Sequence, residues 1–291
     1  MRTRLTAWSV ALTTIVVAVV AVTVTLGASA DDGDRTVVAT AGEDGRYWLT
    51  TSTGTVVGFG DAADHDDLDG RAPAGIADID AVPDGSGYWL ADVDGTVYVL
   101  GDAEFFGSAA ATTLSGTVTD LTATTTGEGY WLATDTGEVL VYGDAVDHGD
   151  ASELPLVEPI VGMGVTADGG GYWLVASDGG MFAYGSARFF GSLGDTQLAS
   201  PIVGMAATDG GGGYWLVAAD GGVFAFGDAG FFGGAADIPL VAPIAGIVPT
   251  PSNDGYWLVA TDGGVFAYGD APFLGSSGGT ELDGPVVGLA S

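Results

Sequence analysis

The chain has 291 residues, among them 51 Gly, no Cys, 38 acidic and 6 basic residues, giving a formal net charge of −32. With no Cys there is neither a disulfide framework nor a thiolate metal site, so packing must hold the fold. The carboxylate excess, unrelieved by any Lys, excludes a nucleic-acid backbone or an anionic membrane surface as partner.

Residues 1–30 differ from the rest. Arg2 and Arg4 precede an apolar run from Leu5 to Leu26, and Ala28-Ser29-Ala30 supplies a small-residue cleavage pattern. An export signal is expected. The run is also long enough to cross a bilayer as one apolar helix, so an N-terminal anchor is the alternative. Arg2-Thr3-Arg4 is not a twin-arginine pair, which points to general secretion. A short acidic linker, 31–35, follows. Location outside the cell, secreted or anchored, is the expectation, with membrane contact only through this segment.

From residue 36 to 291 the chain repeats. Tyr-Trp-Leu occurs at Tyr47, Tyr88, Tyr130, Tyr172, Tyr214 and Tyr256, at spacings of 41, 42, 42, 42 and 42 residues. A fixed period in the forties is the mark of a propeller-like array. In the fifth unit, Ile202–Ala207 reads as a first strand, Asp209–Gly213 as a turn and Tyr214–Ala219 as a second strand. Asp220-Gly221-Gly222 makes a hairpin, Val223–Phe226 a third strand, and Phe231-Phe232 opens a fourth. The second strand is apolar on both faces, as a strand flanked by two neighbouring sheets would be.

The fold class predicted is all-β: a six-bladed β-propeller of four-stranded antiparallel blades. Val286-Val287-Gly288-Leu289 begins a seventh first strand with no Tyr-Trp unit after it, while Val37–Thr40 is a shorter version at the other end. An incomplete seven-bladed ring is therefore the alternative. Trp48, Trp89, Trp131, Trp173, Trp215 and Trp257 are expected to form a belt of packing between blades, with exposed sugar-stacking as the other reading.

The pattern GYWLVA-DGGVFAYGDA-FFGS, read at Gly171–Ser192, Gly213–Gly234 and Gly255–Ser276, resembles a repeat of exported actinobacterial proteins and, more distantly, the WD40 blade. The resemblance spans residues 36–291. It implies an extracellular repeat module, often a companion to cell-wall or hydrolase domains, and carries no catalytic residues over.

Chemistry is sparse. The Gly-Asp-Ala turn recurs at Asp61, Asp102, Asp144, Asp228 and Asp270, with Ser186 in the fourth unit; repetition in every unit argues for turns closed on their own backbone. Asp94, Asp178, Asp220 and Asp262 sit at hairpin tips, where acidic side chains facing a common axis would suit Ca²⁺. Turn chemistry is the plainer account. His65 and His148 stand where other units carry the second Phe of a pair, as Asp64-His65 and Asp147-His148, and are candidates for metal or acid–base work or for an exposed polar sheet edge. No nucleophile elbow, zincin motif or P-loop is present.

A non-catalytic binding or scaffold propeller is the leading expectation, a monomer whose partner is a glycan, a cell-wall polymer or a protein. Its loops Asp64–Gly75, Gly149–Pro159, Leu193–Pro201 and Gly234–Pro243 diverge while the strands stay alike. A polysaccharide hydrolase or lyase with acidic residues at the channel mouth is the rival, to be favoured by a carboxyl there that keeps its proton near neutral pH. A structural surface module adapted to salt is the third reading.

Overall fold

The computed structural model describes residues 40–42, 45–68 and 71–279. The export segment, the 31–35 linker, the Val37–Thr40 strand up to residue 39, and the surplus strand at Val286–Leu289 lie outside the described residues.

Among the described residues every regular element is a strand, and the strands form six antiparallel sheets of three. The first sheet contains β1 (Thr40–Gly42), β2 (Arg46–Thr50) and β3 (Val56–Gly60); the second, β4 (Ile76–Ala81), β5 (Gly87–Asp92) and β6 (Val97–Gly101). β7 (Val118–Ala123), β8 (Gly129–Thr134) and β9 (Val139–Gly143) make the third, and β10 (Ile160–Val165), β11 (Gly171–Ala176) and β12 (Met181–Gly185) the fourth. The fifth has β13 (Ile202–Ala207), β14 (Gly213–Ala218) and β15 (Val223–Gly227), and the sixth β16 (Ile244–Pro249), β17 (Gly255–Ala260) and β18 (Val265–Gly269). Among the described residues no helix is long and apolar enough to cross a membrane.

The middle strand of each sheet is the packing element. In β5, β8, β11, β14 and β17 every residue is buried, so both faces meet other protein. Third strands alternate, with the outward residues of β6 and β12 exposed. First strands lie against first strands: β4 beside β7, β7 beside β10, β10 beside β13, β13 beside β16, and β1 beside both β4 and β16.

The apolar clusters straddle neighbouring units. One holds Trp89 with Tyr130 and Leu132, another Trp173 with Tyr214 and Leu216. A third joins residues of the first, second and sixth units, Tyr47 and Trp48 with Tyr88 and Trp257. The core is thus a set of seams, and the repeat has no private interior. At roughly 150–250 Å² per large aromatic and about 25 cal/mol per Å², each buried Trp offers about 4–6 kcal/mol gross.

Each seam has the same parts. The Trp of one unit meets the Tyr of the next at ring centroid distances of 5.9 Å (Trp48–Tyr88), 5.6 Å (Trp89–Tyr130), 6.2 Å (Trp131–Tyr172), 5.6 Å (Trp173–Tyr214) and 5.9 Å (Trp215–Tyr256). Trp257 meets Tyr47 at 6.0 Å. The Tyr hydroxyl then donates backwards, to a carbonyl of the preceding unit's aromatic loop: Tyr130 to Gly107 (2.5 Å), Tyr172 to Gly149 (2.6 Å), Tyr214 to Gly191 (2.6 Å), Tyr256 to Gly233 (2.5 Å), and Tyr88 to Asp66. Tyr47 donates to Gly275, at 2.7 Å.

The fourth strand expected at the Phe pairs is not a strand. In the second unit the segment after β6 starts beside the 82–86 turn, where Asp102 N–H donates to Ser86, and ends at the hairpin tip, where Ala109 N–H donates to Gly95. It runs from one end of the sheet to the other without joining the ladder. Its donors go to the neighbour instead: the N–H groups of Phe106 and Gly107 both point to the Tyr130 hydroxyl, at 3.3 and 3.2 Å. A Cβ at Gly107 would lie 2.4 Å from the Tyr142 ring of the third unit, so glycine is what allows the segment to lean across the seam.

Candidate functional site: a pit where six units meet

The turns that follow the first strands gather around one pit of about 430 Å³. All six units line it, through Trp48 in the first, Asp80 in the second, Thr122 in the third, Met163 in the fourth, Met205 in the fifth and Ile247 in the sixth. Its lining mixes polar side chains, Asp80, Thr122, Thr124, Thr166, Thr208 and Thr250 among them, with apolar ones such as Met163, Met205 and Ile247. Its rim carries the residue two past each first strand, namely Pro83, Thr125, Ala167, Asp209 and Pro251. Arg46 is the cation in the wall, its Nη2 donating to the Asp84 carbonyl at 3.0 Å and its guanidinium 5.7 Å from the Trp48 ring centroid.

Behind the wall lie three buried carboxyl groups. The first strands read IADIDA, VTDLTA, IVGMGV, IVGMAA and IAGIVP, so Asp78 and Asp120 occupy a place that is Gly162, Gly204 and Gly246 in the later units. A β-bulge just precedes this place in each of these strands. Where it is glycine, first strands approach closely: a Cβ on Gly162 would sit 3.5 Å from the Gly204 Cα, and one on Gly204 3.7 Å from the Gly246 Cα. Where it is Asp, the carboxylate bridges the gap. Asp78 Oδ2 accepts Leu121 N–H at 2.9 Å, and Asp120 Oδ2 accepts Met163 N–H at 2.9 Å. Asp80, two residues on, accepts Ala123 N–H at 2.7 Å and its neighbour Ala81 N–H at 2.8 Å.

These three groups are only 1%, 3% and 8% exposed, for Asp78, Asp80 and Asp120. Burial disfavours charge, and it pushes the Asp80 carboxyl up to about 7 and Asp120 up to about 6. Asp78 is pushed well above the ordinary carboxylate range, by burial first and by the nearby Asp120 charge second. Its Oδ1 is buried with no hydrogen-bond partner. A proton on Asp78 reconciles that environment with the two acids beside it.

Of the residues singled out in the sequence, Trp48 lines the pit and the others lie elsewhere. The six Trp are at most 3% exposed, and each Nε1–H donates within its own unit, to the carbonyls of Ala63, Glu104, Val146, Arg188, Gly230 and Pro272 at 2.6–2.9 Å. None presents a face for a sugar. At the hairpins, Asp178, Asp220 and Asp262 each accept the N–H of the Gly two residues on, at 2.8–3.0 Å. In the second unit Asp92 does this work for Asp94 and Thr96, and Asp94 is exposed. Among the described residues no three His, Asp or Glu side chains come together in a way that could hold a metal ion, Ca²⁺ included.

The two histidines are not an exposed polar edge. His65 packs against Trp48 and Tyr88, at 6.0 and 5.7 Å between centroids, with Nε2 3.0 Å from the Gly85 carbonyl. His148 packs on Tyr172 at 5.6 Å, with Nε2 3.3 Å from the Gly169 carbonyl. Both fill the seam slot that Phe106, Phe190 and Phe232 fill in other units. The Gly-Asp-Ala carboxylates also depart from expectation, because they receive hydroxyls from the turn after the first strand: Thr124 and Thr126 donate to Asp144, Thr250 and Ser252 to Asp270, at 2.6–2.8 Å. Those hydroxyls hold Asp270 below the usual carboxylate range.

Asp78, Asp80 and Asp120 escaped the sequence reading. Their signal was present as acids intruding on an otherwise apolar first strand, Asp78 and Asp120 at a place that is glycine in three later units. No family model matches the chain, and no curated protein matches it.

Proposed function

We propose that the six sheets are the blades of a closed six-bladed β-propeller, and that the protein is a non-catalytic binding or scaffold module working outside the cell. Closure is supported by the Tyr47–Gly275 hydrogen bond and the Trp257–Tyr47 contact, which repeat between the first and last units the parts of every other seam. Export rests on the 1–30 segment read from the sequence.

The observation that carries binding over catalysis is the state of Asp80. It is the acid in the pit wall that keeps its proton near neutral pH, the feature that would favour a hydrolase. Yet both its oxygens are occupied by backbone N–H groups, one of them across a seam. A carboxyl tied through both oxygens to the backbone of two first strands is held as a structural clasp. What remains is a concave pit lined by apolar side chains and a few polar groups, the ordinary form of a small-ligand site. A glycan fragment, a cell-wall polymer end or a protein segment is its occupant.

The test is a thermal-shift screen of the full chain against soluble cell-wall oligosaccharides and peptides, repeated with the pit narrowed by Thr125→Trp. A shift in the wild type that the variant lacks supports the reading. Release of reducing sugar from a polysaccharide, abolished by Asp80→Asn, would sink it in favour of the hydrolase.

A further inference from the structure

One aromatic position in the repeat points away from the protein. Phe105, Phe189, Phe231 and Phe273 occupy the same place in the second, fourth, fifth and sixth units and are 57%, 61%, 65% and 60% exposed. The residue after each goes into a seam; these four do not. A surface Phe at this level of exposure once is ordinary, but four at one repeat position make a pattern.

The fold does not require Phe there. The first and third units carry Asp64 and Asp147 at that place, both exposed, while their seams are built from the same Trp, Tyr and aromatic-slot parts. Nor are the four rings on loose loops. The residue before each is held by its unit's Trp, through the Glu104, Arg188, Gly230 and Pro272 carbonyls. For Phe105, Phe189 and Phe231, the residue after is held by the next unit's Tyr hydroxyl, at 3.1–3.3 Å. A backbone pinned on both sides presents a ring with little ordering left to do, which is what a contact surface needs.

The chemistry of the partner follows from what the row lacks. A net charge of −32 repels polyanions, phosphate-bearing wall polymers among them. A polycation would be drawn by the charge alone and has no need of Phe. A folded protein partner wants a contiguous face of roughly 800 Å² with an apolar centre, whereas here four of the six units contribute one ring each. A repeated single ring suits a repeated ligand whose units each have one flat C–H face, as pyranose sugars do.

We propose that Phe105, Phe189, Phe231 and Phe273 form a multivalent stacking surface for an uncharged pyranose polymer. This rests on the binding-module reading above and names its partner, at a surface separate from the pit. Each ring contributes weakly, and retention on the polymer comes from engaging several rings at once.

The experiment measures partition of the full chain onto insoluble cellulose and chitin, as two uncharged pyranose polymers, with polylysine-coated beads as the charged control. Each single Phe→Ser change is expected to lower retention on the favoured polymer about 3–10-fold and all four together more than about 100-fold. Melting temperatures should stay close to that of the wild type, since Asp already stands at this place in two units. Full retention by the quadruple variant, or retention on polylysine alone, overturns the proposal. If neither polymer is retained while the pit still binds a soluble fragment, the stacking surface fails and the binding module stands; if both fail, both readings fall.

Discussion

The Tyr47 hydroxyl donates to the Gly275 carbonyl at 2.7 Å across 228 residues of sequence, and the Tyr130 hydroxyl donates to Gly107 at 2.5 Å across 23. The two bonds are the same element of the repeat, one made between the ends of the described chain and one between neighbours.

Tyr47→Phe and Tyr130→Phe each remove a hydroxyl that donates across a seam, and Tyr130→Phe also takes away the acceptor of the Phe106 and Gly107 N–H groups. Each is expected to lower unfolding free energy by about 1–2 kcal/mol, measured by urea denaturation. Equal losses fit a ring whose last seam is as firm as the others. A silent Tyr47→Phe beside a costly Tyr130→Phe would mean that the first and sixth units part in solution.

Stability should depend on the buried acids in a defined direction. Asp78, Asp80 and Asp120 hold their protons to higher pH when folded than in the unfolded chain, so the native state binds more protons above about pH 4. The stability they contribute is full below about pH 4 and falls as pH rises, through the folded values of about 6 for Asp120 and about 7 for Asp80. Asp78→Asn keeps an oxygen for Leu121 N–H and replaces the unpartnered Oδ1 with a neutral donor beside Asp120. It should raise stability at pH 8 by about 1–2 kcal/mol and flatten the pH slope between 4 and 7. Destabilisation at pH 8 with an unchanged slope would count against a protonated Asp78.

Two glycines separate close approach from backbone strain. A Cβ on Gly204 finds its nearest atoms at 3.7–4.0 Å, so Gly204→Ala should change stability by less than about 1 kcal/mol. Gly227 has a φ of +69° and a Cβ there would lie 2.2 Å from the Gly212 carbonyl oxygen. Gly227→Ala should lose about 3 kcal/mol or more, read as a drop in soluble yield and in melting temperature.

His148→Phe tests what the histidine slot is for. The variant gives up the 3.3 Å contact to the Gly169 carbonyl and gains the ring already used in this slot by Phe106, Phe190 and Phe232. Stability within about 1 kcal/mol of wild type is expected, with an unaltered melting response to added Zn²⁺. A Zn²⁺-dependent rise in melting temperature that the variant loses would make His148 a ligand after all.

The repeat, its strands and its hairpins were legible because each depends on residues within one unit. Ile202–Ala207 is a strand as read, and the Asp220 hairpin closes on Gly222 N–H. The Phe pairs misled because their hydrogen-bond partner, the next unit's Tyr hydroxyl, is 24 residues away from Phe106, Phe190 and Phe232. A reading unit by unit looks for a ladder that the segment never joins. The same omission made His65 and His148 look like an exposed edge. Asp78 and Asp120 were harder, since an acid in an apolar strand reads locally as a surface position. Only its distance partner, an N–H 43 residues on, explains its burial.

Because every seam takes its Trp from one unit and its Tyr from the next, a growing polypeptide cannot finish its earliest unit early. At roughly 5–20 residues per second, the 228 residues between Tyr47 and Gly275 take about 10–45 s to synthesise. Until Trp257 and Gly275 are at hand, the side of Tyr47 that meets them faces solvent or whatever shields it, and that is when unwanted association at the first unit is easiest.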